Sequence, residues 1–102
     1  MTEITKEILD EVLKKDGLAI IDFYGVYCGP CKMQLPILEK LSEEYSNVFF
    51  GKCDVEEHSS IASKYGIVAL PSILIIKAGQ IMDKLQGLQP KKTLEDKIKE
   101  YS

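Results

Sequence analysis

The sequence LAIIDFYGVYCGPC, residues 18–31, decides the fold, because an apolar run is followed by two cysteines that are separated by two residues. Residues 18–25 predict a strand buried on both faces, which is typical of the centre of a parallel sheet. The stretch from about Cys31 to Tyr45 has helical periodicity, so the thiols are expected at a strand-to-helix junction. Two thiols with this spacing, in this place, predict a redox-active dithiol.

The position of each thiol predicts its role. Cys28 is expected at the N-terminus of the helix, where free backbone N–H groups and the positive end of the helix dipole stabilise a thiolate. Pro30 is a favourable residue for starting a helix, and it places no cation between the thiols, which favours a reducing couple. We therefore predict that Cys28 is the nucleophile and Cys31 the resolving thiol of a reversible Cys28–Cys31 disulfide.

The composition describes one ordinary globular domain, residues 1–102, with 45% hydrophobic and 28% charged residues. The net charge of −3 and the lack of a basic stripe argue against nucleic acid as a partner. Residues 1–20 are rich in charge, and no run is apolar enough for a leader or a membrane span, so a cytoplasmic protein is expected. Three cysteines are an odd number, which does not suggest a disulfide framework.

The rest of the chain predicts alternating strands and helices. Pro36 lies inside the helix that follows the dithiol and is expected to kink it. Periodicity and turn residues predict an α/β sandwich with a mixed sheet and a right-handed crossover through residues 31–45. The other predicted elements are an edge strand at 1–4, a helix from Thr5 to about Lys15, a strand at 48–55, a helix at 59–64, a strand at 72–77, a hairpin turn at 78–80, a strand at 81–86 and a helix at 92–101.

Four separate segments carry a recognisable pattern: Ile21–Met33 with Pro36, Lys64-Tyr65-Gly66-Ile67, Leu70-Pro71-Ser72, and Lys77-Ala78-Gly79-Gln80 with the later Gly87. These segments resemble the thioredoxin family, and the similarity runs from about residue 5 to the C-terminus in the order and spacing of that family. The resemblance implies a thioredoxin fold with a five-stranded mixed sheet flanked by four helices. It also implies a protein-disulfide reductase that carries electrons, binds no cofactor, and is recharged by a separate thioredoxin reductase.

Three residues beside the dithiol depart from the family pattern. Tyr24 and Tyr27 occupy positions where the family usually has tryptophan, and the chain contains no tryptophan. Gly25 is also smaller than the residue usually found there. These changes are expected to alter partner preference and redox potential, and to leave the type of reaction unchanged.

Asp22 is a carboxylate within an apolar strand, where a charge is rarely buried without a partner or a use. It is either an aspartate satisfied by the backbone or by a lysine, or a proton acceptor for Cys31. The resemblance favours the acceptor. By the register of the family, Lys52 lies beside Asp22 and tunes it, although an exposed strand lysine is the alternative.

The resemblance also implies a cis peptide bond before Pro71, next to the dithiol. A proline that starts a strand leaves the preceding backbone free to pair with an extended substrate segment. Oxidised protein substrates are expected to bind a monomer through an apolar surface around the dithiol. That predicted surface comprises Tyr27, Gly29, Pro30, Ala69, Leu70 and Gly87.

Other interpretations of the cysteines remain to be weighed. A zinc site would need Cys53 and His58 as the remaining ligands, but zinc ribbons usually supply a second close-spaced pair, so no metal site is predicted. Cys53 is interpreted as a small buried hydrophobic residue and His58 as a solvated residue. A disulfide oxidase or isomerase of the same fold is disfavoured by the Gly-Pro pair and the lack of a secretory signal, and a non-catalytic binding module by the intact dithiol.

Overall fold

The computed structural model describes residues 1–102 and contains five strands and four helices, which alternate along the chain except that the last two strands follow each other directly. The predicted elements are all present, and their ends agree with the prediction to within two residues. Their bounds are β1 Thr2–Glu3, α1 Lys6–Leu13, β2 Leu18–Tyr24, α2 Gly29–Glu44, β3 Phe49–Asp54, α3 Ser59–Lys64, β4 Ser72–Lys77, β5 Gln80–Gln86 and α4 Lys91–Tyr101.

The five strands form one mixed sheet in the order β1-β3-β2-β4-β5. Strands β1, β3 and β2 are parallel, whereas β4 runs antiparallel to β2 and β5 antiparallel to β4. The central strand is β2, in which every residue from Leu18 to Phe23 is buried. This arrangement confirms the predicted five-stranded mixed sheet with four helices.

Each face of the sheet carries its own hydrophobic core. Because side chains alternate along a strand, Ile21 and Phe23 contribute to the core beneath α1 and α3. Ile20 contributes to the core beneath α2 and α4. Asp22 alternates with Ile21 and Phe23, so its side chain lies on the α2 side of the sheet. The same helix begins with the dithiol.

Helix α2 begins at Gly29, earlier than the predicted Cys31, because Cys28 acts as its N-cap and Pro30 occupies its first turn. Helix α1 is capped as predicted by Thr5, whose hydroxyl accepts a hydrogen bond from the Ile8 N–H at 3.2 Å. The α2 helix continues past Pro36 to Glu44, and the kink at that residue stays a prediction.

The hairpin between β4 and β5 turns through Ala78 and Gly79, both with positive φ, at 51° and 78°. Positive φ at both central residues matches the twist of a tight hairpin, and glycine adopts it without strain. A Cβ added to Gly79 would overlap the backbone oxygen of Leu13. The turn therefore packs directly on the end of α1.

No helix of the fold combines the length and the apolar character that a membrane span requires.

Candidate active site

Cys28 and Cys31 are joined by a disulfide at the N-terminus of α2, with their Cα atoms 5.3 Å apart. Cys28 is the N-cap residue, and its Sγ accepts a hydrogen bond from the backbone N–H of Cys31 at 3.2 Å. Cys28 is partly exposed, whereas Cys31 is only 4% exposed. Cys28 is thus the more exposed cysteine of the pair, and its sulfur is the one that accepts a backbone N–H from the first turn of the helix.

Asp22 lies under this helix, on the central strand, and is only 1% exposed. Neither of its carboxylate oxygens accepts a hydrogen bond from the protein. Burial raises the pKa of Asp22 from its ordinary value of 3.8 to about 7, and the positive charge of Lys52 opposes part of that rise. The carboxyl group is therefore able to take up and release a proton near neutral pH.

A pocket of about 190 Å³ opens beside the dithiol, and three of the predicted site residues lie on its wall. Asp22, Cys31 and Lys52 all line it. The pocket is large enough to hold water. Asp22 and Cys31 therefore border one space that water can enter.

Lys52 lies beside Asp22 in the register of β2 and β3, as predicted. The next strand outward adds Glu3, which pairs with Lys52 in the register of β1 and β3. The Lys52 Nζ is 3.4 Å from Oε1 of Glu3, and the Tyr24 hydroxyl donates to the same oxygen at 3.1 Å. The Lys52 ammonium therefore lies within ion-pair distance of the exposed Glu3 carboxylate, and it acts on the buried Asp22 carboxyl through its charge alone.

The peptide bond between Leu70 and Pro71 is cis, which confirms that prediction. The segment lies against the loop before the dithiol, because a Cβ placed on Gly25 would be 3.2 Å from Cδ1 of Leu70. On its other side, the Gly87 N–H donates to the backbone oxygen of Pro71 at 2.8 Å. Three loops that are distant in sequence therefore meet beside the disulfide.

The predicted substrate-binding residues differ in their exposure. Tyr27 is 92% exposed, and Gly29 and Pro30 are also exposed. Ala69, Leu70 and Gly87 are partly buried at the margin of the site. Further apolar side chains on the same loops and on the first turns of α2 are exposed, which the sequence analysis did not single out: Val26, Met33, Val68 and Leu88.

The residues of the zinc alternative do not come together. Cys53 is fully buried in the core beneath α1 and α3, on the opposite side of the sheet from Asp22. Its burial, with smaller contributions from nearby carboxylates, raises the pKa of the Cys53 thiol to about 11. His58 is the N-cap residue of α3, and no group of three or more His, Cys, Asp or Glu side chains is placed to hold a metal ion.

Comparison with known proteins agrees with the geometry. The family model described as Thioredoxin matches residues 1–100. A thioredoxin of Chlamydia caviae is 40% identical over 86 residues, which cover 84% of each chain. A thioredoxin of Chlorobaculum thiosulfatiphilum is 37% identical over 97 residues, which cover 94% of this chain and 90% of the relative.

Solved structures show the same likeness along the whole chain. The oxidised form of mitochondrial thioredoxin 3 from Saccharomyces cerevisiae has a TM-score of 0.90 at 38% identity, covering 98% of this chain and 94% of that one. The thioredoxin of Fasciola hepatica has a TM-score of 0.92 at 30% identity and is covered completely by this chain, as this chain is by it.

Proposed function

Because the chain belongs to the thioredoxin family and is a thiol–disulfide oxidoreductase that reduces protein disulfides, we propose that Cys28 makes the first attack and Cys31 resolves the intermediate. The observation that carries this proposal is the unequal burial of the two cysteines at the start of α2, since Cys28 is partly exposed and Cys31 is buried. The Cys28 sulfur is therefore proposed to be the one that meets the substrate. It also accepts the N–H of Cys31, an interaction that favours a thiolate over a thiol.

The reaction exchanges one disulfide for another. The Cys28 thiolate attacks one sulfur of the substrate disulfide, forms a mixed disulfide, and expels the other substrate sulfur as a thiolate that takes up a proton. The Cys31 thiol then loses its proton and attacks the Cys28 sulfur, which expels the second substrate sulfur. The substrate gains two electrons and two protons, and the protein is left with the Cys28–Cys31 disulfide.

Asp22 is proposed to accept the proton that Cys31 loses during resolution. Cys31 is buried, so its ionisation in place is unfavourable unless a base is within reach. Asp22 shares a pocket with it and has a pKa of about 7, close to the pH at which the reaction runs. Lys52 is proposed to keep that pKa from rising further, because its positive charge favours the ionised carboxylate.

The surface around Cys28 is proposed to bind an extended segment of the oxidised substrate, with the backbone before Pro71 as its pairing edge. The exposed ring of Tyr27 and the loops of Ala69–Pro71 and Gly87 support this proposal.

Members of the family work with a thioredoxin reductase, which restores the dithiol and makes the protein an electron carrier. We propose that this cycle runs in the cytoplasm, because a third cysteine that stays unpaired, the buried Cys53, is in keeping with a reducing compartment.

The assignment of the two thiols is tested by trapping. The Cys31→Ser variant, reduced and then mixed with an oxidised protein substrate, should accumulate a stable mixed disulfide through Cys28, identified by peptide mass after digestion. The Cys28→Ser variant should accumulate none and should not reduce the substrate. Efficient trapping through Cys31 in the Cys28→Ser variant would reverse the roles.

A further inference from the structure

Gln34 is a fully buried polar side chain on the helix that carries the dithiol. It lies one turn after Cys31, is 0% exposed, and shares the buried side of α2 with Leu38 and Leu41. A side-chain amide at such a position is unfavourable unless its polar atoms are paired. The cycle of Cys28, Cys31 and Asp22 makes no use of it.

The amide of Gln34 pairs with one peptide unit of a distant loop. Its Nε2 donates to the backbone oxygen of Gln89 at 3.1 Å, and the backbone N–H of Gln89 donates to its Oε1 at 2.7 Å. The residues are 55 positions apart in the chain. The loop between β5 and α4 is therefore attached to α2 by two hydrogen bonds that close a ring.

The side chain of Gln89 extends this attachment toward the site. Its Nε2 donates to the backbone oxygens of Gln86 at 3.0 Å and Gly87 at 3.2 Å. The Gly87 N–H in turn donates to the oxygen of Pro71 at 2.8 Å. A continuous set of hydrogen bonds thus runs from the helix that carries the dithiol to the backbone around Pro71.

We propose that Gln34 is a positioning residue that, through Gln89, sets where the Gly87 loop and the Pro71 segment lie relative to the disulfide. The expected effect differs between protein disulfides and small disulfides, and it rests on the substrate-binding role proposed above for those two segments. An extended protein segment needs the backbone edge and the dithiol at a defined separation at the same time. A small disulfide contacts the dithiol alone and is indifferent to the loop.

A purely structural role for Gln34 predicts a different outcome. An apolar side chain of similar volume in place of Gln34 would fill the space under α2 but would leave the N–H and the oxygen of Gln89 without partners. If Gln34 is only structural, this replacement lowers the free energy of unfolding and leaves the preference between substrates unchanged. A positioning role changes that preference.

The test compares Gln34→Met, similar in length but unable to pair with Gln89, with the unaltered protein. Reduction is measured for insulin as a protein disulfide and for 5,5′-dithiobis(2-nitrobenzoate) as a small one, with substrate concentration varied. We expect the KM for insulin to rise about tenfold, the effect of one to two lost hydrogen bonds, while kcat changes by less than about twofold. The rate with the small disulfide should stay within about twofold, and amide exchange at Gln89 should accelerate.

A second variant keeps the test decisive if Gln34→Met folds poorly. Gln89→Ala preserves the two bonds between Gln34 and the backbone but removes those to Gln86 and Gly87, and it should raise the KM for insulin in the same way. Gln80→Ala, at the exposed start of β5, is the matched control and should change neither substrate. The proposal is wrong if both disulfides slow equally, or if amide exchange accelerates while the KM for insulin is unchanged.

Failure of this inference is distinguishable from failure of the substrate-binding proposal. Tyr27→Ala removes the most exposed apolar side chain beside Cys28 without touching the hydrogen bonds of Gln34. A raised KM for insulin in Tyr27→Ala, with no change in Gln34→Met and Gln89→Ala, would overturn only the positioning role. No change in any of the three variants would place the substrate elsewhere and overturn both.

Discussion

Replacement of Asp22 by asparagine should raise the unfolding free energy relative to that of the wild type as the pH rises. The carboxyl group is buried, accepts no hydrogen bond from the protein, and has a pKa raised from 3.8 to about 7. The native state therefore holds this proton more tightly than the unfolded chain does. Stability linked to Asp22 is fully present below about pH 4, is lost as the pH rises toward 7, and is constant above that.

The magnitude follows from the size of the shift. A rise of about three pKa units corresponds to about 4 kcal/mol of unfolding free energy lost across the window. This is an upper limit, because Asp22 borders a pocket that water can enter. Asparagine has no such pH dependence, but its amide group brings unpaired donors that cost about 1–3 kcal/mol at every pH. The variant should be less stable than the wild type near pH 4 and more stable at pH 8.

The assay is urea unfolding of both proteins from pH 4 to pH 8, with the Cys28–Cys31 disulfide kept oxidised. The informative quantity is the difference in unfolding free energy between the two proteins, in which the titration of all other groups cancels. Asp16→Asn, at an exposed position after α1, is the matched control for the loss of a carboxylate. A difference for Asp22→Asn that stays flat or falls as the pH rises would refute a buried, proton-holding carboxylate.

Four further outcomes are expected. Asp22→Asn should prolong the mixed disulfide at neutral pH, measured by acid quenching, while initial attack by Cys28 changes less; resolution at the wild-type rate would make Asp22 only structural. Lys52→Met removes the charge that lowers the pKa of Asp22, so the pH midpoint of resolution should move upward, and an unchanged midpoint would contradict the pairing. Cys53→Ala should leave turnover nearly unchanged, because this thiol is buried across the sheet, and a large loss would show a redox role. Gly79→Ala should lower the unfolding free energy by at least about 1–3 kcal/mol, through positive φ and overlap with Leu13, and an unchanged urea midpoint would contradict this.

The dithiol and the central strand were predictable because their signal is local. An apolar run, two thiols and a proline lie within residues 18–31, and no long-range pairing is needed to interpret them. The start of α2 was misplaced by two residues because helicity was assigned from the apolar face. The cap instead depends on the backbone of Cys28, which leaves the helical region one residue before Gly29.

Other parts of the site depend on distant pairings that the sequence does not display. Glu3 reaches Lys52 only because β1 pairs with β3, and a two-residue edge strand has no pattern from which its register can be derived. Gln34 is a polar residue on a helix, which ordinarily indicates an exposed position. Its burial is tolerated only because a loop 55 residues later supplies one peptide unit of matching geometry.

Gln34 and Asp22 are both buried and polar, but they act in opposite ways. Gln34 is neutral and both ends of its amide are paired, so it contributes rigidity without titrating. Asp22 is left without a hydrogen bond from the protein, so its charged form is disfavoured and its proton stays bound until the pH approaches 7. Hydrogen bonds donated to the Asp22 oxygens would stabilise its charged form and lower its pKa, leaving a weaker base for the Cys31 proton. The unfavourable burial of Asp22 is thus the property that suits it to resolution, and it is what Asp22→Asn should remove.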